Sequence, residues 1–346
     1  MMIKKVFMVI SVCIVAYNEE NNLSDILSDI LAQTYLKKNT ELVLVDNASA
    51  DATYEVLRRF RDEHIGEYLD IKVEKNTDSN LPSGLNVGLR VYTGEVFVRV
   101  DAHASLAPDF LERVSVCLEG SEEYGREDVC GGQRPVYCIR DDGIGTLLIS
   151  AESSKFGAGA ASYRGELSRS YVDSIFHAAY RREVIDRVGE FNCELRRTED
   201  NEYNYRVRRA GYRICFDPSI RSSQQVRPTF KKMLKQKYQN GYWIGYTLGV
   251  CPGCVGTFHL VPFAFVSAAV VTTLMAAFGL WWFSALMWSA YALCNILFSV
   301  KAVLDTKRPH AALLLLPFVF LLIHVFYGVG TARGLLRLAC GRKKRT

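Results

Sequence analysis

The stretch VRVDAHASL, residues 98–106, contains two side chains that could do chemistry together. Its apolar residues alternate as in a buried strand, and the strand ends on Asp101 and His103. Side chains two residues apart on an extended backbone point the same way. A carboxylate beside an imidazole suits a divalent cation such as Mn²⁺, and the pair could also share a proton. The alternative is a loop that enters a helix and carries a solvated histidine.

Carboxylates also mark two other predicted elements. Asp46 ends the strand Leu-Val-Leu-Val-Asp, where it could accept hydrogen bonds from a base N–H or a ribose hydroxyl. A capped turn without a ligand explains Asp46 as well. Thr198, Glu199 and Asp200 open a predicted helix, and a threonine cap followed by two acids suits any helix N-terminus. The functional alternative is that one of these acids is a catalytic base.

The first hundred residues alternate between short apolar runs and helical patterns. This alternation predicts an α/β fold with a mostly parallel sheet covered on both faces. Ligands of such folds bind beyond the carboxyl ends of the strands, and three polar clusters fall there, at residues 17–19, 46–49 and 101–103. The predicted strands are 12–16, 41–46, 71–74 and 96–101, and the predicted helices are 21–33, 51–61 and 82–91.

Beyond residue 120 the pattern is weaker. It predicts strands at 129–137 and 176–180, helices at 144–152, 182–188 and 198–211, and a mobile loop rich in Gly, Ala and Ser at 156–169. Residues 229–246 are basic and amphipathic, which is typical of a helix at a membrane interface.

The N-terminal residues 6–16 imitate a signal peptide, since they are apolar and follow Lys4 and Lys5. No small-residue cleavage site follows them. A continuous apolar run also fits a buried parallel strand, which we prefer. The domain would then stay in the cytoplasm.

The C-terminal third predicts membrane segments. Residues 260–300 carry no charged side chain, and about 20 apolar residues cross a bilayer, so this stretch predicts two spans with a turn at 279–282. Residues 311–332 form a third apolar run. If this run also crossed, the basic tail at 342–345 would lie outside, against the positive-inside rule. We therefore predict a re-entrant or interfacial third segment with a cytoplasmic C-terminus.

Three residues of the third segment support that prediction. Pro317 could break the helix, and His324 and Tyr327 are poor choices for contact with lipid. We expect His324 and Tyr327 to face the catalytic domain. The predicted domains are residues 1–228 (catalytic), 229–257 (interface helix and linker), 258–332 (membrane region) and 333–346 (basic tail).

Several classes of protein are excluded or disfavoured. The chain has no P-loop, no GxSxG and no HExxH, and Gly157-Ala-Gly159 neither follows a strand nor opens a helix. The ten cysteines are scattered and define no disulfide framework, and the Cys251–Cys254 pair fits a Pro-Gly turn better than a metal site. The net charge of +5 lies largely beside the apolar runs, so it indicates anionic lipid and no nucleic acid.

Taken in order, four motifs resemble those of the family 2 inverting glycosyltransferases. They are AYNE at 16–19, VDNASAD at 45–51, DAH at 101–103 and TED at 198–200. Within that family the chain is similar to the membrane-bound glucosyltransferases of succinoglycan-type exopolysaccharide synthesis. The segments that carry this likeness are VDAHA at 100–104, SKFGAG at 154–159, VD at 172–173, AYRRE at 179–183 and QNGYW at 239–243.

The resemblance implies a GT-A fold and roles for particular residues. Asp101 and His103 fall on the metal-binding DxD motif, with His in place of the second Asp, and would hold Mg²⁺ or Mn²⁺. Asp200 falls on the general base, and Glu199 is the next candidate. The implied nucleotide-binding residues are Ala16, Tyr17, Glu19, Asp46 and Asp101. The predicted acceptor and interface residues are Arg164, Gln239, Tyr242, Trp243, His324 and Tyr327.

The expected activity is transfer of a sugar, glucose by resemblance, from a UDP-sugar to a glycan on a polyprenyl diphosphate in the inner membrane. Three alternatives stay open: transfer to polyprenyl phosphate, a small polysaccharide synthase, and a non-catalytic membrane scaffold. Gln239, Tyr242 and Trp243 resemble the QxxRW motif of processive synthases, but Tyr replaces Arg, which disfavours the synthase.

Overall fold

The computed structural model of the chain describes residues 8–120, 123–158, 168–307 and 309–342. The strands are β1 Ile10–Ala16, β2 Thr40–Asn47, β3 Asp70–Asn76, β4 Val96–Asp101, β5 Ala104–Leu106, β6 Val129–Gln133, β7 Val136–Tyr137, β8 Ser170–Tyr171, β9 Ala179–Arg181 and β10 Ile214–Gln225. The helices are α1 Leu23–Leu31, α2 Thr53–His64, α3 Leu81–Val91, α4 Phe110–Glu119, α5 Gly143–Ser153, α6 Lys155–Ala158, α7 Arg182–Val188, α8 Glu199–Arg209, α9 Phe230–Val250, α10 Val261–Ala277, α11 Trp281–Leu304 and α12 Leu316–Arg342.

The chain divides into two compact units. The sheet unit comprises Met1–Pro135 and Ser162–Gln224, and the helical unit comprises Val136–Ala161 and Gln225–Thr346. The segment Val136–Ala161, which contains α5, therefore belongs with the C-terminal helices rather than with the sheet.

The sheet unit is built on a mixed sheet with the strand order β3-β2-β1-β4-β9-β6-β10-β5. Strands β3, β2, β1 and β4 are parallel, and β9 runs antiparallel between β4 and β6. All seven residues of β1 are buried, because apolar cores cover both faces of the sheet. The apolar run near the N-terminus is thus a central strand, as predicted.

The strand register sets the positions of the polar clusters. Ala16 at the end of β1 lies opposite Asp46 on β2, and Val15 lies opposite Asp101 on β4. The two aspartates therefore flank the carboxyl end of β1, one on each side. This is the edge at which parallel sheets bind their ligands.

Three predictions beyond residue 120 need correction. The strand predicted at 176–180 begins only at Ala179, as β9, because His177 has a left-handed φ of 45°. The strand predicted at 129–137 is divided into β6 and β7, because Pro135 has no N–H to continue a ladder. The predicted loop at 156–169 begins inside a short helix, α6, and residues 159–167 lie outside the described part of the chain.

Among its described residues, the helical unit contains three helices that are long and apolar enough to cross a membrane: Thr257–Ala277, Trp281–Leu304 and Ala311–Cys340. The first two are joined by the predicted turn, where Gly279 adopts a left-handed φ of 86°. The third is a continuous helix, α12, from Leu316 to Arg342. The prediction that Pro317 breaks it is wrong, because Pro317 occupies the first turn, where a missing N–H costs no helical hydrogen bond.

Helices α9 and α12 run parallel to one another in close backbone contact. A Cβ at Gly241 would lie 2.0 Å from the Tyr327 carbonyl oxygen, and one at Gly245 would lie 2.3 Å from that of Thr331. On the opposite side of the same contact, a Cβ at Gly330 would lie 2.2 Å from the Tyr238 carbonyl oxygen. Only glycine allows such an approach, as in pairs of membrane helices.

Candidate active site

The loops after β1 and β2 are tied together by hydrogen bonds. The Asn18 N–H donates to Ser49 Oγ over 3.0 Å, and the Ala50 N–H donates to Asn18 Oδ1 over 2.8 Å. Asn18 and Ala48 both have left-handed backbones, with φ of 52° and 59°. Such strain is held in place where the surrounding structure determines it, and it collects at binding sites.

This pair of loops presents two of the predicted nucleotide-binding residues. Asp46 is buried, and its Oδ1 accepts a hydrogen bond from the Ser49 N–H over 3.3 Å. Tyr17 is 49% exposed, although it belongs to a loop whose backbone is fixed. A fixed carboxylate and an exposed aromatic ring at one sheet edge can together receive a flat, hydrogen-bonding ligand.

Asp101 ends β4 and is surrounded by cationic and neutral nitrogen groups. Its Oδ1 lies 3.6 Å from Arg99 Nη2, and its Oδ2 lies 3.7 Å from His177 Nε2. Burial alone would raise the pKa of Asp101, but the neighbouring Arg99 guanidinium opposes burial, and the pKa lies well below its usual range. Asp101 is therefore an ionised carboxylate at the ligand-binding edge.

His103 connects the β4 loop with the β1 loop. Its Nδ1 lies 3.5 Å from Glu19 Oε1, and its side chain is partly exposed. The backbone of Glu19 is fixed by its N–H, which donates to Thr53 Oγ1 over 2.9 Å. The structure thus brings together Glu19 and His103, two predicted site residues from distant parts of the sequence.

Glu199 and Asp200 begin α8 in different surroundings. Glu199 is buried and accepts a hydrogen bond from Arg99 Nη2 over 2.7 Å. Asp200 is less buried, and its Oδ1 accepts only the N–H of Asn201 among the hydrogen bonds of the described residues, over 2.8 Å. Burial raises the pKa of both carboxyls, against the opposing effect of Arg99. A carboxylate with a raised pKa is suited to accepting a proton.

The structure adds three site residues that the sequence reading missed. They are Arg99, His177 and Arg134, whose guanidinium lies 3.3 Å from the centre of the Phe176 ring. Arg99 had a signal in the sequence, because it precedes Asp101 by two and shares its face of β4. Arg134 and His177 had no signal in the sequence. Their segments reach the site only because β9 pairs with β4 and β6.

The remaining candidates lie in the helical unit. Gln239, Tyr242 and Trp243 are on α9, and His324 and Tyr327 are on α12. His324 donates from Nε2 to the Phe156 carbonyl over 2.7 Å, so its Nδ1 accepts from the Tyr291 hydroxyl over 3.0 Å. The Tyr327 hydroxyl oxygen lies 3.2 Å from His259 Nδ1. Arg164 lies outside the described residues.

Within the described ranges, no three His, Cys, Asp or Glu side chains converge closely enough to enclose a metal ion by themselves. A cation at Asp101 would therefore need further ligands from a substrate or from water. Mg²⁺ and Mn²⁺ at phosphate sites are commonly bound in that way, by one or two carboxylates plus phosphate oxygens.

Comparison with known proteins identifies the class. The family model "Glycosyl transferase family 2" matches residues 11–189, more than half of the chain. The chain belongs to this family and is a glycosyltransferase with a GT-A fold. The fold agrees with a solved structure, mannosyltransferase PcManGT from Pyrobaculum calidifontis in complex with GDP-Man and Mn²⁺. The two are 20% identical, with a TM-score of 0.66 over 96% of this chain and 88% of that one.

Curated relatives include two sugar transferases and a succinoglycan biosynthesis protein. A dolichyl N-acetyl-α-D-glucosaminyl phosphate 3-β-D-2,3-diacetamido-2,3-dideoxy-β-D-glucuronosyltransferase of Methanococcus voltae is 22% identical over 95% of this chain and 97% of its own length. Glycosyltransferase AglE of Haloferax volcanii is 27% identical over 67% of this chain and 71% of its own. The succinoglycan biosynthesis protein ExoA of Rhizobium meliloti is 26% identical over 57% of each chain.

Proposed function

We propose that the chain transfers a hexose from a UDP-sugar to a lipid-linked glycan, with inversion at the anomeric carbon and with the help of a divalent cation. The observation that carries this proposal is the sheet edge at which Asp46 and Asp101 flank the end of β1. The Glu199–Asp200 pair is joined to that edge through Arg99, which contacts both Asp101 and Glu199.

The donor nucleotide is held by the loops after β1 and β2. In this proposal the uracil stacks near Tyr17 and contacts the backbone at Ala16, while Asp46 accepts from the base or the ribose. Glu19 lies deeper, beside His103. The paired loops need little rearrangement on binding, since their hydrogen bonds are already made.

The cation, Mn²⁺ or Mg²⁺, would be held by Asp101 and His103. The donor set fits this role, because Asp101 is kept ionised and His103 is accessible beside it. When bound, such an ion neutralises the charge that develops on the departing diphosphate. Asp101 also keeps Arg99 close to the site, and Arg99 in turn holds Glu199.

Asp200 accepts the proton of the attacking acceptor hydroxyl. Glu199 is occupied by its bond to Arg99, whereas Asp200 makes no comparable ion pair among the described side chains. A single displacement inverts the anomeric carbon, so the reaction needs one base and no carboxylate nucleophile.

The acceptor is a glycan carried on a polyprenyl diphosphate in the inner membrane, and the donor side faces the cytoplasm. Three membrane-competent helices follow the sheet unit and would keep the enzyme beside such a lipid. The Methanococcus voltae relative is named for a lipid acceptor that already carries a sugar, which favours glycan extension over transfer to bare polyprenyl phosphate. By likeness to ExoA, which is named for succinoglycan biosynthesis, the proposed pathway is exopolysaccharide synthesis. Glucose is proposed as the sugar from the resemblance of the sequence motifs alone.

The test uses the full chain in nanodiscs with Mn²⁺ and a panel of UDP- and GDP-sugars. We expect UDP release from UDP-glucose that depends on a lipid-linked oligosaccharide and yields a product one hexose longer. Product formed on polyprenyl phosphate alone would replace the proposed acceptor, and a polymer would indicate a synthase. No nucleotide release from any donor, with folded protein and each acceptor, would contradict the enzymatic proposal.

A further inference from the structure

His177 occupies a position that an ordinary core histidine would not take. It is 2% exposed and has a left-handed φ of 45°, which L-residues with side chains rarely adopt. It directly precedes the segment that pairs with β4, since Arg99 donates its N–H to the Ala178 carbonyl over 3.1 Å. That pairing places the imidazole beside Asp101, far from it in the sequence.

The hydrogen bonds of Ser222 determine the tautomer of His177. Ser222 Oγ lies 2.9 Å from His177 Nδ1, and the same hydroxyl donates to the Gln133 carbonyl over 3.3 Å. A serine hydroxyl has one hydrogen to donate. With that hydrogen given to Gln133, His177 Nδ1 donates to Ser222 Oγ, and we assign the lone pair of the neutral ring to Nε2 on this basis.

That lone pair is directed at another acceptor. His177 Nε2 is buried and has no hydrogen-bond partner in the part of the chain that the structure describes. Asp101 Oδ2 lies 3.7 Å away, too far for a hydrogen bond from Nε2 in either tautomer. An acceptor nitrogen and a carboxylate oxygen that face each other are both satisfied when a cation lies between them.

The two atoms are close enough to share one ion after a small movement. Neighbouring ligands of an octahedral ion, each bound at about 2.0–2.1 Å, lie about 3 Å apart, so His177 Nε2 and Asp101 Oδ2, 3.7 Å apart here, would draw together by less than about 1 Å when the ion binds. Arg99 does not block this side, because it approaches the other oxygen, Asp101 Oδ1, and its charge is compensated by Glu199.

We propose that His177 Nε2 is a ligand of the catalytic cation, together with Asp101 Oδ2. This inference rests on the proposed function, since it assigns a further ligand to the cation of that reaction. The two side chains hold the ion from the sheet side, and diphosphate oxygens and water complete its coordination. His103 would join them by moving from its place beside Glu19, since no three such side chains converge within the described ranges. The unusual backbone of His177 is then explained, because it brings the imidazole into reach of Asp101.

The first test is His177→Gly, since glycine adopts φ of 45° without strain. Mn²⁺ affinity is measured by electron paramagnetic resonance in the presence of UDP, which needs no turnover. We expect affinity to fall by at least about tenfold, and added imidazole to restore part of it. His64→Ala, on the distant helix α2, is the matched control and should bind Mn²⁺ like the wild type.

The second test does not depend on how well the glycine variant folds. His103→Asp removes the other candidate imidazole, and pulsed electron paramagnetic resonance of its Mn²⁺–UDP complex detects nitrogen ligands. We expect one histidine nitrogen to remain coupled to Mn²⁺ in this variant. Absence of that coupling, or unchanged Mn²⁺ affinity in His177→Gly, overturns the inference while leaving the proposed function intact. Failure of the wild type to bind Mn²⁺ with UDP overturns the metal-dependent function itself.

Discussion

Glu199 and Asp200 are adjacent in the sequence, but their surroundings suit them to different roles. Arg99 holds Glu199 in the protein interior, and the same arginine approaches Asp101. Asp200, one residue further, has no such partner among the described ion pairs and retains a raised pKa. The sequence alone offered both acids as bases, and only the ion pair separates them.

We predict that Asp200→Asn lowers turnover by about 10²–10⁴-fold, because the amide keeps the shape but cannot accept the proton. Donor affinity should stay within a few-fold of wild type, since the nucleotide is held at the other loops. Single-turnover rates test the loss of turnover, and calorimetric UDP binding tests the unchanged donor affinity. Turnover near the wild-type level would move the base to another residue, with Glu199 next.

A Glu199→Gln variant is the informative comparison. It removes the closer of the two carboxylates that face the buried Arg99 guanidinium and leaves only Asp101, at 3.6 Å. Breaking a buried pair costs up to about 3–5 kcal/mol of stability. The two variants should therefore show different defects. Asp200→Asn should lose turnover but keep the wild-type melting temperature, whereas Glu199→Gln should melt at a lower temperature than the wild type.

Among the strands and helices, β2 carries a buried carboxylate that connects several neighbouring elements. Glu41 on β2 is fully buried, and its carboxylate accepts hydrogen bonds from Ser11, Lys72 and Thr93. Burial raises the pKa of Glu41, but the bonds from Lys72, Ser11 and Thr93 outweigh burial and lower it overall. The carboxylate joins β1, β2, β3 and the turn after α3.

We predict that this carboxylate makes the stability of the sheet unit depend on pH. A lowered folded-state pKa means that the unfolded chain binds the proton more tightly, so stability falls as pH drops below about 4.3. Glu41→Gln should cost about 2 kcal/mol at pH 7, in line with lost charged hydrogen bonds, and should flatten that part of the pH curve. Urea unfolding of the wild type and the variant between pH 7 and pH 3 measures the free energy of unfolding at each pH. An equally steep curve in the variant would assign the dependence elsewhere.

The sequence predicted those elements whose pattern is local. β1, β2, β4, α3 and α7 follow from apolar periodicity, and their observed bounds lie within two residues of the predicted ones. β10 was not predicted, because it contains Pro218 and a run of Ser, Arg and Gln, and it owes its form to pairing with β6 and β5. The position of His177 likewise depends on long-range pairing, so it could not be read locally.

Glycine packing between α9 and α12 gives a prediction with an internal control. A Cβ at Gly245 would lie 2.3 Å from the Thr331 carbonyl oxygen, a backbone atom that cannot move aside. At Gly249 it would meet only the flexible end of Leu338. Gly245→Ala should therefore lower the melting temperature in detergent, despite a helix propensity gain of about 1 kcal/mol. Gly249→Ala should match or exceed the wild type, and equal behaviour of the two variants would argue against the close contact.

For the whole molecule, the apolar surface of the helical unit indicates a bilayer. Large side chains on α10 and α11 point outward, among them Val270, Leu274, Leu293 and Leu297. Helix α12 is different, because Leu316, Phe320 and Ile323 are buried while Phe318 and Val329 are exposed. It has one face on protein and one face open to lipid.

The partner of α12 restricts how deeply it can enter the membrane. Met233 and Leu234 of α9 belong to the same core as Leu316 and Phe320 of α12. The other side of α9 exposes Lys231, Lys232 and Lys235 at this level. If α12 crossed the bilayer upright, α9 would have to cross beside it in the same direction, because the two helices are parallel and in close contact. Helix α9 carries these three lysines and Lys237, and a charged residue costs about 2.5–3.5 kcal/mol near the centre of the hydrocarbon. If α9 and α12 instead lie together in the membrane interface, the exposed lysines stay in water and the exposed apolar face of α12 faces the lipid.

We therefore predict that α10 and α11 are the spanning hairpin, and that α12 lies with α9 in the cytoplasmic interface. The C-terminus, with its basic residues 342–345, would then be cytoplasmic, as the positive-inside rule favours. The packing of α12 on α9, and not a break at Pro317, supports this in-plane arrangement. A C-terminal reporter fusion decides the matter: fluorescence of a cytoplasm-dependent reporter is expected, with a fusion in the 279–280 turn as the opposite-side control. Labelling of the C-terminus from the periplasmic side would make α12 a third span and end the in-plane assignment.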